Sequence, residues 1–119
     1  MELNEYQEKA MSTCMDSCHN YSYMMDNLMA EVGEFSGKVA KAKRSNNARY
    51  LSDGSLILSA EIKEEMLGEL KKEAGDILWQ LTGLVDTMGW KMEDVAQGNL
   101  DKLASRKARG VIDGSGDNR

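Results

Sequence analysis

The sequence predicts an all-α fold, a helical bundle of about four main helices completed by oligomerisation. Proline is absent from the 119 residues while Leu, Met, Ala, Glu and Lys are plentiful, and proline is the strongest helix breaker whereas these residues are strong helix formers. Apolar residues also recur at alternating steps of three and four, the spacing of one helical face. A chain of this length makes one small domain, which buries a modest fraction of its surface and tends to recruit partners.

Taken in order, Asn4 and Gln7 resemble a capping box, which predicts a first helix over about 5–15. Asp16 to Asn20 reads as a break. From Tyr21 to Arg44 the residues Leu28, Val32, Phe35, Val39 and Ala42 form one apolar stripe. Ser45 to Gly54 is polar and contains Asn46-Asn47 and Asp53-Gly54, both turn-forming pairs, so a loop is expected there. Leu56 to Ser59 suits a short strand or a helix entry. Leu70, Ala74, Ile77, Leu81, Leu84 and Met88 carry a longer helix over about 60–88, with Gly89 as its stop. Met92, Val95, Ala96, Leu100 and Leu103 support a fourth helix over about 91–108. The domain is expected to span 1–110, and the glycine-rich tail 111–119 to be flexible unless a ligand or neighbouring subunit orders it.

Composition excludes several classes. Twenty acidic against 15 basic residues, a net charge of −5, argue against binding a nucleic-acid polymer, whose recognition needs clustered Lys and Arg. No stretch approaches the roughly 18 apolar residues of a membrane span, and Met1 to Glu5 lacks a basic region followed by an apolar core, so a cytoplasmic protein without membrane contact is expected. Cys14 and Cys18, beside His19, lack further ligands at metal-site spacings and read as reduced thiols. The nine methionines read as adaptable core filler.

One local echo carries the chemistry. Glu31-Val32-Gly33-Glu34 and Glu73-Ala74-Gly75-Asp76 share the pattern acid, apolar, glycine, acid. Residues three apart share a helix face, and each acid directly precedes a member of its helix's apolar stripe, which puts it at the edge of the core. If the two helices pack antiparallel, both pairs converge. Four carboxylates crowded at a core margin repel one another and need a cation or partial protonation. Oxygen-only ligands favour Mg²⁺ or Mn²⁺ before Zn²⁺. Gly33 and Gly75 each cost about 1 kcal/mol against alanine within a helix, so something is expected to approach closely there.

Extending each stripe adds Asn27 and Lys38 on one helix and Glu69 and Gln80 on the other. Glu69 is a candidate fifth oxygen ligand and Lys38 a candidate phosphate contact. Asn99, Lys102 and Arg106 form a polar, cationic stripe suited to phosphate oxygens, although Lys102, Arg106, Lys107 and Arg109 also fit an ordinary solvated helix end. Trp79 reads first as packing, with a nucleobase contact as its functional alternative. Trp90 reads as packing at the start of the fourth helix.

These residues resemble the MazG-like, all-α nucleoside triphosphate pyrophosphohydrolases. The resemblance rests on Glu31-x-x-Glu34 and Glu73-x-x-Asp76, on Gly75-Asp76-Ile77-Leu78-Trp79-Gln80-Leu81, and on Asn99-Leu100-Asp101-Lys102-Leu103 running into Arg106-Lys107-Ala108-Arg109-Gly110. It implies hydrolysis of a (d)NTP between the α and β phosphates, giving the monophosphate and pyrophosphate. It further implies Mg²⁺ held by Glu31, Glu34, Glu73 and Asp76, and a homodimer or homotetramer whose interface helps to form the site. Glu34 is the candidate for activating water. One departure is the segment from Arg44 to Ala60, longer than in the most compact members. The base is left open, so a dedicated dUTPase, dCTPase or phosphoribosyl-ATP pyrophosphatase is the alternative within the class. A non-catalytic nucleotide-binding or interaction module is the alternative outside it, against which the four intact acids stand.

Overall fold

The computed structural model describes residues 1–119. Four α-helices dominate: α1 (Leu3–Met11), α2 (Tyr21–Arg44), α3 (Lys63–Thr87) and α4 (Met92–Ala108), with a 3₁₀ turn at Asp16–Cys18 and a two-stranded hairpin, β1 (Ala48–Tyr50) and β2 (Leu56–Leu58). No helix is long and apolar enough to cross a membrane.

Each long helix begins or ends for a local reason. Asn20 caps α2 by accepting from the Tyr23 N–H at 2.9 Å, the arrangement that satisfies an orphan donor at a helix start. Gly89, in the left-handed region at φ 77°, ends α3. The Gly89 N–H donates to the Asp86 carbonyl and the Trp90 N–H to the Val85 carbonyl, a paired closure that only a residue tolerant of positive φ permits. Asn46 closes α2 in the same way, with φ 61°.

Two expectations are corrected here. Asn4 and Gln7 do not cap their own helix, because α1 already begins at Leu3 and its cap residue Glu2 makes no side-chain cap bond. They cap α4 from a distance: Gln7 Oε1 accepts from the Met92 N–H at 2.8 Å and Asn4 Oδ1 from the Glu93 N–H at 3.0 Å. The expected loop over 45–54 is partly strand, since Ala48 pairs with Leu58 and Tyr50 with Leu56 in antiparallel register. Leu56–Leu58 is strand rather than helix entry.

α2 and α3 run antiparallel as the central pair. Met24 lies against Gly83, Glu31 beside Asp76, and Lys38 beside Glu69. Both sets advance by about seven residues, or two helical turns, so one face of each helix looks at the other along its length. Apolar packing occupies both ends of this pair. At one end fully buried Met24 fills the space Gly83 leaves open; at the other Val39, Met66 and Leu70 form a core cluster with Phe35, Ala42, Leu58 and Ile62. α1 docks on α3 through Trp79, whose indole N–H donates to the Ala10 carbonyl at 3.2 Å and to Thr13 Oγ1 at 3.0 Å.

The predicted apolar stripes are only half covered. Val32, Leu81 and Met88 are exposed, as are Val95, Leu100 and Leu103 along α4. The radius of gyration is 17.8 Å, against about 13.5 Å for a compact chain of this length. The accessible surface is 8505 Å², where a folded monomer of this mass shows about 6,400 Å².

Candidate metal centre

Between the two apolar ends of the α2–α3 pair the facing positions are acids. Carboxylate oxygens of Glu31, Glu73 and Asp76, one from each residue, lie within 4.8 Å of one another. Convergence follows from the sequence: the acids sit three apart on each helix, and the antiparallel register set by Met24–Gly83 and Lys38–Glu69 brings the two pairs to the same height. Glu34 lies outside the tightest triplet yet close enough for its charge to act on Glu31, and with Glu73 it lines an adjoining cavity.

The electrostatics are those of a site short of positive charge. Burial, followed by the charges of Glu34, Asp76 and Glu73, holds the Glu31 carboxyl above the usual glutamate range. Glu31 Oε2 and Glu73 Oε2 are buried with no hydrogen-bond partner. Leaving such an acceptor unsatisfied costs about 1–3 kcal/mol, and more when it is charged. A divalent cation would satisfy both oxygens and relieve the repulsion, and an all-carboxylate donor set suits a hard ion. The residues therefore fit a bound metal. The cation supplied by the chain itself is Lys38, whose Nζ stands 3.7 Å from Glu73 and 3.8 Å from Glu69. That ion pair places Glu69 at the edge of the group.

A cavity of about 470 Å³ opens beside the acids, lined by Ala30, Gly33, Glu34, Gly37, Lys38, Lys41 and Glu73. A second, of about 330 Å³, shares Lys38 and Lys41 and extends over Glu65 and Glu69. The trough thus carries both signs of charge, with Glu34, Lys38 and Lys41 on its α2 wall and Glu65, Glu69 and Glu73 on its α3 wall. A Cβ built on Gly33 or Gly75 meets nothing within 4 Å, so the close approach expected at those glycines is not made by this chain. It is made instead at Gly83, where an added Cβ would collide with the thioether end of Met24.

Other candidates fall elsewhere. Trp79 serves the α1–α3 joint, its one donor being used by Ala10 and Thr13. Asn99 is exposed on α4, and Lys102 and Arg106 pair with Asp117 of the tail at 3.3 and 3.1 Å; none of the three lines the cavities beside the acids. Two residues near the acids carried no sign in the sequence. Lys41 lies one turn beyond Lys38 and was hidden among the basic residues that favour any helix C-terminus. Tyr6 of α1 stands near Asp76: burial first, then the Asp76 charge, raises its phenol. Gln80, which extending the acidic stripe already named, is buried there with Oε1 unpartnered.

Carboxylates from two antiparallel helices thus meet beside an open cavity, an oxygen-rich setting of the kind that suits a hard cation. Residues 19–111 match the MazG nucleotide pyrophosphohydrolase domain, and the chain belongs to that family. It is also 36% identical over 126 aligned positions to the Gene 37 protein of Mycobacterium phage L5, with both chains covered in full. No solved structure matches the chain significantly.

Proposed function

We propose that this protein is a Mg²⁺-dependent nucleoside triphosphate pyrophosphohydrolase that cleaves a (d)NTP between the α and β phosphates, releasing the monophosphate and pyrophosphate. The observation that carries the reading is the meeting of Glu31, Glu73 and Asp76 with two buried, unpartnered carboxylate oxygens among them. Glu31, Glu73 and Asp76, joined by Glu34, would hold the ion, with Mn²⁺ as an acceptable substitute. When bound, Mg²⁺ supplies neutralisation of the phosphate charge and Lewis acidity toward water.

The chain's own groups do the rest. Glu34, at the cavity edge and outside the tightest triplet, accepts the proton of the attacking water. Lys38 and Lys41, one and two turns along α2 from Glu34, hold phosphate oxygens beside the acids and stabilise charge that develops on the departing pyrophosphate. Gly33 and Gly37 leave gaps between the side chains of the α2 wall, so the substrate lies against backbone at those two points. Tyr6 and Gln80 flank the acids at the end away from Lys41 and bear on the sugar and base.

A second copy completes the site. The surface in excess of a compact monomer is about 2,000 Å², within the range each subunit gives up in an extensive obligate interface. Its apolar part lies on α3 and α4, and a neighbour packed there would carry its Asn99, Lys102 and Arg106 toward the trough as further phosphate contacts. A homodimer is the simplest assembly with this property, and a tetramer a doubling of it.

The deciding assay incubates the protein with Mg²⁺ and a panel of standard and modified (d)NTPs, dUTP, dCTP and phosphoribosyl-ATP included, with products separated by chromatography. Monophosphate and pyrophosphate should form with the wild type and not with Glu73→Ala. Release of single phosphate would overturn the cleavage position. No turnover anywhere on the panel would favour a nucleotide-binding module.

A further inference from the structure

The segment after α4 folds back rather than trailing away. Gly110, at φ 71°, ends α4, and Arg119 then gathers the tail by donating to the carbonyls of Val111 at 3.0 Å, Ile112 at 3.1 Å and Gly116 at 2.5 Å. Arg109 fixes the end by donating to the Arg119 carbonyl at 2.6 Å. The result is that Asp117 is laid across two cations of α4, its Oδ1 accepting from Arg106 Nη2 at 3.1 Å and from Lys102 Nζ at 3.3 Å.

The partners in this contact are unequal. Arg106 is 5% exposed, on a helix whose apolar Leu100 and Leu103 are open, whereas the Asp117 side chain is 83% exposed. Arg106 also uses its donors incompletely: Nη2 reaches the Gly116 carbonyl at 3.4 Å, while Nε is buried with no partner. A guanidinium presents a fork of five donors that matches two oxygens at once, and here one carboxylate oxygen engages one arm of it. Hydrogen bonds from Arg106 and then Lys102 hold the Asp117 carboxyl below the usual aspartate range, so the occupant is an anion. An exposed aspartate returns to water at small cost, but a buried arginine left alone does not. The exchangeable partner is therefore the anion, and a tetrahedral oxyanion would use the fork more fully.

We propose that Lys102 and Arg106 form a phosphate-group site that the chain occupies itself with Asp117, and that a pyrophosphate moiety displaces the tail on binding. The proposal deepens the reading of these two residues as phosphate contacts and rests on it. It makes the tail an internal competitor: the site stays neutralised until a polyphosphate arrives, and releases its product when Asp117 returns.

Inorganic pyrophosphate is the probe, titrated into the full chain by calorimetry in the presence of a chelator, so that the carboxylate centre takes no part. Asp117→Asn, which keeps the tail's length and removes its charge, should bind pyrophosphate at least about tenfold more tightly than wild type, the scale of one charge-assisted hydrogen bond. That gain should vanish when Asp117→Asn is combined with Arg106→Gln, or with Lys102→Gln, whose exposed side chain (41%) can be replaced without disturbing α4. Pyrophosphate should also make the Arg109–Gly110 bond of the wild type more sensitive to trypsin, since displacing the tail frees Arg109 from its contact with the Arg119 carbonyl. Equal affinity in wild type and Asp117→Asn, or a gain indifferent to both cations, would overturn the proposal. Because no divalent ion is present, such a failure would leave the metal-dependent hydrolysis untouched, and a failed hydrolysis assay would leave this binding result standing.

Discussion

Glu31 sits where burial and three like charges act together, and its carboxyl is held above the ordinary glutamate range for those reasons, burial first. Because the folded state holds this proton more firmly than the unfolded one, the group's contribution to stability is fully present below the unfolded pKa and lost as pH rises through the raised folded value. At neutral pH the metal-free protein therefore carries an unfavourable charge here. Glu31→Gln should raise the melting temperature of the chelator-treated protein at neutral pH and weaken Mg²⁺ binding by at least the roughly tenfold seen when outer-shell groups are removed from metal sites. Calorimetry in parallel with thermal melts checks both; unchanged Mg²⁺ affinity would remove Glu31 from the ion's ligands. A second contrast lies in the glycines. Gly83→Ala forces a methyl onto fully buried Met24 and should cost about 1–3 kcal/mol, as overpacking does. Gly33→Ala meets nothing in the chain and should leave melting equal or higher while lowering turnover, because its methyl enters the trough. The acid pairs were legible in sequence because their spacing repeats and each is aligned with an apolar stripe. Gly83 was not, since a glycine between Thr82 and Leu84 carries no local sign of the methionine that faces it.

At the scale of elements, the helices were legible and their joints were not. The three-four rhythm marks α2, α3 and α4 over nearly the residues they occupy, because the period of a helix is written along the chain. Strands of three residues are too short to show a period, which is why β1 passed as loop. The roles of Asn4 and Gln7 were misread because a capping pair looks the same whether it serves its own helix or one some 85 positions away. That distant service has consequences. Gln7 Nε2 donates to Asp86 Oδ1 and to the Trp90 carbonyl, both at 2.9 Å, and His19 Nε2 lies 2.6 Å from Asp86 Oδ2. One small network thus ties the 3₁₀ turn, α1, α3 and the start of α4. Gln7→Ala strips the Met92 N–H of its acceptor and should cost about 1–3 kcal/mol, seen as faster amide exchange at Met92 and Glu93. Burial raises the Asp86 carboxyl, but hydrogen bonds from His19 and Gln7, with the charges of His19 and Lys91, outweigh it and leave it below the ordinary range. A depressed carboxyl contributes stability that is present above its unfolded pKa and lost as pH falls through the folded one. The stability of the α1–α4 joint should therefore fall away below about pH 4, and Asp86→Asn should be less stable at neutral pH with a flatter acid limb in melts followed against pH.

On the scale of the whole molecule, the long arm formed by α4 is the feature that a single chain does not explain. Its start is fixed to α1 by two caps, yet Val95, Leu100 and Leu103 face solvent, as do Leu78 and Leu81 of α3 and Met88 at its end. Exposed apolar area along two helices of a small protein suits an interface, and a neighbour packed beside the arm would cover it. If that neighbour also delivers Asn99, Lys102 and Arg106 to the trough, assembly and catalysis are one property. Leu100→Glu and Leu103→Glu place charges where the second copy would pack, without touching any acid of α2 or α3. In sedimentation experiments the wild type should run as a dimer or larger and the double variant as a monomer. The variant should retain its helical circular dichroism and its Mg²⁺ binding, because the carboxylates come from one chain, but lose (d)NTP hydrolysis. Full activity in a demonstrated monomer would show that the phosphate contacts are complete within one chain, and would leave Lys38 and Lys41 as the cations that matter.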